Sequence, residues 1–134
     1  MMPPCILLGS QNNLIIPIVR EVADEMAITI QAEQKIEDFL LNVQESDYKA
    51  IIFDMNMSNY EGVKTIRLIR RMRPKIPLIT LVDKIDKKIG GQILSEGVFQ
   101  LVMSPPSKEN LRATLMTALK KVKESVQEPQ HIKQ

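Results

Sequence analysis

The chain has 134 residues, 44% hydrophobic and 25% charged, with one cysteine, one histidine and no tryptophan. One ordinary domain fits that length, and its core can hold without a disulfide or metal staple. Cys5 alone excludes a disulfide framework and a cysteine zinc cage, and a lone His131 in a polar tail argues against histidine-dependent catalysis.

The net charge of +2 hides a split: residues 1–60 hold nine acids and three bases, residues 61–134 seven acids and fifteen bases. Lys64, Arg67, Arg70, Arg71, Arg73 and Lys75 follow one another with no acid between. Two readings stand: differently charged, solvated helix faces, or a dipole that steers a partner. No aromatics interleave with the bases, so nucleic acid is not indicated. Leu14 to Val19 is too short to span a bilayer, and no base precedes Arg20 as a signal peptide requires. The chain reads as cytoplasmic, with no membrane partner.

The first strand is Cys5 to Leu8, ended by the turn-forming Gly9-Ser10-Gln11-Asn12-Asn13. Ile15, Ile18, Val19, Val22 and Met26 then recur at helical spacing, with Asn12 or Asn13 as cap and Pro17 early, where a missing N–H costs least. Ala27 to Ile30 reads as the second strand, and Ile36, Phe39, Leu40 and Val43 mark the second helix. Ala50 to Phe53 is a fully apolar third strand ending at Asp54, followed by a loop to Gly62. Val63, Ile66 and Ile69 form the inner face of a basic third helix, stopped at Pro74. Pro77 to Val82 is the fourth strand. A weaker helix runs from Asp86 to Ser95 through Gly90-Gly91, a pair that costs about 2 kcal/mol against alanine and invites fraying. Gly97 is its left-handed cap. Val98 to Met103 is the fifth strand, and Ser107 caps a last helix bearing Leu111, Leu115, Ala118, Leu119 and Val122. Residues 1–124 form the domain, and 125–134 read as a polar tail or the start of a linker. Apolar strands alternating with amphipathic helices predict an α/β parallel sheet covered on both faces.

The segment from Ile51 to Gly62 is the most specific pattern: an apolar strand, Asp54, two residues, Met57, then Glu61-Gly62. With Pro77 to Leu81, Ser95-Glu96-Gly97-Val98 and Ser104-Pro105-Pro106, it resembles the receiver domain of two-component response regulators, from Cys5 to about Lys123. The resemblance implies a single doubly wound (βα)5 sheet of flavodoxin-like order 2-1-3-4-5, the order cited for a chemotaxis receiver. It implies that Asp54 is the phosphoacceptor and that Ser104–Pro105 is cis. Ser10, Gln11, Asn56, Val82, Asp83 and Ser104 would line the pocket, with Asp54 and Asn56 as a weak Mg²⁺ set. A histidine kinase, or an output or signalling protein, is the implied partner. The fourth helix, fifth strand and fifth helix are the implied contact face, with Lys84, Lys87, Lys88, Leu101 and Arg112 on it and a homodimer through it as a variant.

Several positions depart from that pattern. Receivers carry an acid pair where Gly9-Ser10-Gln11 stands, a hydroxyl where Val82 stands, a lysine where Ser104 stands and an aromatic where Leu101 stands. A carboxylate and a phosphoryl group repel without a cation, and Mg²⁺ draws on carboxylate oxygens. No cofactor is certain, and Mg²⁺ would be held weakly. The expected function is therefore a degenerate receiver acting as a protein-interaction module rather than an enzyme. The alternatives are a working phosphoacceptor and a small-ligand pocket at the same cleft.

Overall fold

A computed structural model describes residues 5–57, 62–85 and 87–127, with side chains through Lys120. The Ser58–Glu61 part of the aspartate motif, Asp86, the side chain of Val122, and residues 128–134 with His131 lie outside the described residues. Five strands, β1 (Cys5–Gly9), β2 (Thr29–Glu33), β3 (Ala50–Asp54), β4 (Leu78–Val82) and β5 (Gln100–Met103), alternate with five helices. These are α1 (Ile15–Glu25), α2 (Ile36–Glu45), α3 (Gly62–Met72), α4 (Lys87–Ser95) and α5 (Lys108–Gln127). All strand pairs are parallel and the sheet order is β2-β1-β3-β4-β5. The fold is the α/β doubly wound, flavodoxin-like one.

Strand alternation divides the core into two layers. Ile6, Leu8, Ile52, Ile79 and Leu81 face α1 and α5, meeting Ile15, Val19, Val22, Leu111 and Leu115. Leu7, Ile51, Phe53, Leu78 and Val82 face α2, α3 and α4, meeting Phe39, Val43, Ile66, Ile69 and Ile93. Full burial of one such side chain stabilises by roughly 1.5–3 kcal/mol, so these two clusters carry the fold. β1, β3 and β4 are shielded on both faces, which is why they read as unbroken apolar runs.

Local signals set the boundaries. Asn12 Oδ1 accepts the N–H of Leu14 at 2.7 Å and of Ile15 at 3.2 Å, so Asn12 rather than Asn13 opens α1. Ser107 Oγ accepts the N–H of Asn110 at 3.0 Å and opens α5. Gly97 adopts φ +88° after α4, and the helix continues through both Gly90 and Gly91. The Ser104–Pro105 peptide bond is cis.

Several boundaries differ from the sequence expectation: β1 runs one residue further, to Gly9, β4 begins at Leu78 rather than Pro77 and β5 at Gln100 rather than Val98, and two further shifts have a visible local cause. β2 begins at Thr29, not Ala27, because Ala27 and Ile28 close α1. Ile28 N–H donates to Ala23 O at 2.8 Å and Ala27 N–H to Asp24 O at 3.2 Å, with Ala27 at φ +56°. That is a left-handed helix stop built on alanine instead of glycine. α5 runs to Gln127, past the expected boundary at 124, since no Gly or Pro interrupts it before Pro129.

The end of the sheet away from Asp54 is held by two arginines. Arg73 donates to the carbonyls of Val43, Gln44 and Ser46 at 2.7, 2.9 and 3.0 Å and to Asp47 at 2.9 Å, tying the end of α3 to the end of α2. Arg70 donates to the carbonyls of Arg73, Pro74 and Ile76 in the connection to β4.

Two outcomes follow for stability. A left-handed residue costs about 1–2 kcal/mol when it carries a Cβ, so Ala27→Gly is expected to stabilise by about 1 kcal/mol net of glycine's added unfolded-state freedom. Thermal denaturation should show a rise of about 3–4 °C. At the end of β1, a Cβ on Gly9 would lie 2.5 Å from the Phe39 ring, itself stacked on Phe53 with centroids 5.6 Å apart. Gly9→Ala is expected to cost about 1–3 kcal/mol by forcing the ring aside, read as a lower urea midpoint.

Candidate functional site

β1, β3, β4 and β5 deliver their last residues to one edge of the sheet. Register pairs Gly9 with Phe53 and Asp54 with Leu81, and Ser104 N–H donates to Val82 O at 2.7 Å. Ser10, Asp54, Val82 and Ser104 therefore gather at the carboxyl ends of the strands, where ligands bind in such sheets.

Asp54 is 2% exposed. Its Oδ2 accepts the hydroxyl proton of Ser10 at 2.8 Å, and its Oδ1 accepts the N–H of Asn56 at 3.1 Å. Ser10 is fully buried, and its Oγ also accepts the N–H of Asn12 at 3.1 Å. Both carboxylate oxygens thus have neutral donors, and among the described residues Asp54 has no ion pair. Asn56 contributes through its backbone, in the two-residue turn that an aspartate favours. The 3-10 turn Met55–Met57 sets that geometry.

The remaining candidates occupy different surroundings. Val82 is buried in the core layer under α3 and α4, and its side chain offers no hydrogen-bonding group to the strand ends. Thr80, two residues earlier on the same strand, is fully buried with a hydroxyl that has no partner among the described residues. Gln11 and Asp83 are exposed, and Ser104 is half-buried. Asn56 and Asp83 line a cleft of about 310 Å³ with Met55, Gly62, Lys84, Ile85 and Ile89, beside Asp54 rather than around it. Met55, Gly62, Ile85 and Ile89 were not legible as cleft residues. Gly62 is there because a Cβ would stand 2.6 Å from Met55 Cγ, a contact that only the folded chain reveals.

The oxygens present fit a divalent cation poorly. A hard cation takes about six oxygens and draws on more than one carboxylate, whereas here Asp54 is met by the Ser10 hydroxyl and the Asn56 N–H. Among the described residues no group of three or more His, Cys, Asp or Glu side chains could hold a metal. The Ser10 hydroxyl also engages one of the two carboxylate oxygens. What the arrangement does is clasp the end of β1 to the end of β3 through a charge-assisted hydrogen bond.

The expected contact face is less basic than its composition suggests. Lys108 pairs with Glu21 at 2.6 Å and Glu25 at 3.1 Å, and Arg112 pairs with Glu25, so both join α5 to α1. The hydrogen bonds from Arg112 and then Lys108 hold the Glu25 carboxyl below its usual range. Leu101 packs half-buried on the core layer under α4. Lys84, Lys87, Lys88 and Lys120 remain exposed.

Comparison with known proteins agrees with this geometry. A sequence search among curated proteins gives no match. Among solved structures, a response regulator receiver domain protein of Methanospirillum hungatei JF-1 superposes with a TM-score of 0.84 at 14% identity, covering 92% of this chain and 98% of that one. The chemotaxis response regulator CheY4 of Vibrio cholerae gives 0.77 at 18% identity, covering 87% and 99%. The receiver domain of a sensor histidine kinase from Pseudomonas aeruginosa PAO1, solved with magnesium coordinated in its active-site cleft, gives 0.76 at 17% identity, covering 88% and 98%. Likeness at these identities speaks for the fold. The family itself follows from sequence: the profile of the response regulator receiver domain matches residues 6–116, and this chain belongs to that family, the receivers of two-component signalling.

Proposed function

We propose that this receiver domain works as a protein-interaction module whose output does not depend on efficient Mg²⁺-dependent phosphorylation of Asp54. The observation that carries this reading is the 2.8 Å hydrogen bond from Ser10 to Asp54, made by a serine in place of the family's acid pair. A neutral donor satisfies the carboxylate and leaves a cation little to bind. Val82 and Ser104 add no charge and no well-placed hydroxyl for a phosphoryl group. Docking of a histidine kinase, or of an output protein with an acidic surface, is assigned to the α4–β5–α5 side through Lys84, Lys87 and Lys88, in the cytoplasm. Among the described residues no helix is long and apolar enough to cross a membrane. The competing reading, a working phosphoacceptor, is favoured by one fact: Asp54 stands at the carboxyl end of β3 inside the family match.

Acetyl phosphate with Mg²⁺, followed by intact mass, separates the two. The native chain is expected to gain no phosphoryl increment. An adduct that accumulates in the native chain and disappears in Asp54→Asn would overturn the proposal. The complementary variant is Ser10→Asp, which sets a second carboxylate against Asp54. Without metal it is expected to lose about 1–3 kcal/mol through like-charge repulsion and the lost hydrogen bond. With Mg²⁺ at tenfold excess over its dissociation constant it should recover about 1.4 kcal/mol. Thermal denaturation of the native chain should be unmoved by the same Mg²⁺ concentration.

A further inference from the structure

α2 and α3 lie side by side on one face of the sheet. Arg73 binds three carbonyls at the end of α2, so the C-terminal ends of the two helices are level. Four residues back from the last residues, Glu45 and Met72, stand Leu41 and Leu68; four further back stand Glu37 and Lys64. Each step is about 6 Å along a helix, so the members of each pair share a height. Leu41 is 50% exposed and Leu68 45% exposed, although both are large apolar side chains. Exposed Glu37, Asp38 and Glu45 surround Leu41; exposed Lys64 and Arg71 flank Leu68. α2 contains no base and α3 no acid. Among the described residues Glu37, Asp38, Glu45 and Arg71 make no ion pair.

We infer that α2 and α3 together form a self-complementary surface that joins two copies of this chain about a two-fold axis parallel to the helices. Such an axis keeps heights and helix directions unchanged. It lays α2 of one protomer on α3 of its partner, and the same operation lays α3 on α2. Acid then meets base toward both ends of the contact and leucine meets leucine at its middle, twice over. An axis across the helices would instead stack α2 on α2 and set Glu37 against Glu45, which like-charge repulsion disfavours. The acid-to-base match is closed by the symmetry, so it ends at two copies rather than growing into a filament. Each protomer brings two half-exposed leucines to the contact, little apolar surface beside the roughly 800 Å² and 20–30 residues a side of a stable interface. The dimer is accordingly weak, with a dissociation constant on the order of 100 µM, and salt weakens it further.

Sedimentation equilibrium of the full chain up to about 1 mM, some tenfold above that constant, at low and high salt, tests this. The native chain is expected to dimerise. Glu45→Arg and Arg71→Glu are each expected to weaken the dimer about tenfold or more, and the two together to restore it to within about threefold, because the swap preserves the cross-contact. Leu41→Ser with Leu68→Ser should abolish it, and circular dichroism of every variant checks that the fold is intact. A native chain that stays monomeric overturns the inference. So does a dimer indifferent to the single reversals, or one that the combined swap fails to restore.

Discussion

A sheet covered on both faces leaves its polar chemistry one place to go, the ends of its strands. Along β1, β3 and β4 the fully buried side chains are hydrocarbon except Thr80 and, at the last position of β3, Asp54, and the backbone is consumed by the parallel ladder. Charge can enter only where the strands stop and helices have not yet begun. Asp54 enters there, and it needs donors because an unsatisfied buried carboxylate is far costlier than a neutral polar group. Ser10 and the turn after β3 supply them. The same two-layer burial that makes the fold stable thus dictates that any activity be concentrated in a few loop residues.

Architecture and site therefore draw largely on different residues. The apolar alternation that specifies the sheet resides in residues such as Leu7, Ile51, Phe53 and Leu78, none of which touches a ligand. The site is built on Ser10, Asp54 and Ser104 at the strand ends, and only Val82 belongs both to it and to the core layer. The serine after β1 gives the buried Asp54 a hydrogen-bond donor, so this neutral residue leaves no unsatisfied carboxylate oxygen there. Loss of the serine's hydroxyl would be felt, since Asp54 would keep only the N–H of Asn56.

Much of this was legible in the chain, and the limits have physical causes. Burial on both faces makes β1, β3 and β4 stand out as apolar runs, and asparagine and serine announce the starts of α1 and α5. Ala27 misleads because the left-handed stop is ordinarily glycine's, so a helix end made of Ala-Ile looks like the start of a strand. β2 itself is half polar, Thr29 to Glu33, because it lies at the sheet edge with partial exposure. Within the site, residue identities suggest a weakened acid cluster, but not that Ser10 reaches Asp54 directly across 44 residues of sequence. Lys108 and Arg112 count as surface charge in a sequence; only packing of α5 on α1 shows them spent on Glu21 and Glu25.

The arginine ties at the far end of the sheet have a mechanical meaning. Arg70 and Arg73 splice the α3–β4 connection to itself and to the end of α2 with hydrogen bonds from two guanidinium groups to backbone carbonyls, acceptors that no substitution removes. The opposite end is held across β1 and β3 by one serine hydroxyl on one carboxylate. The base is thus tied helix to helix and helix to loop by side chains, while the rim adds to its backbone bonds one side-chain tie from strand to strand. A protein so built fixes the relative alignment of α2 and α3 at the base, independently of what happens at the strand ends where Asp54 lies.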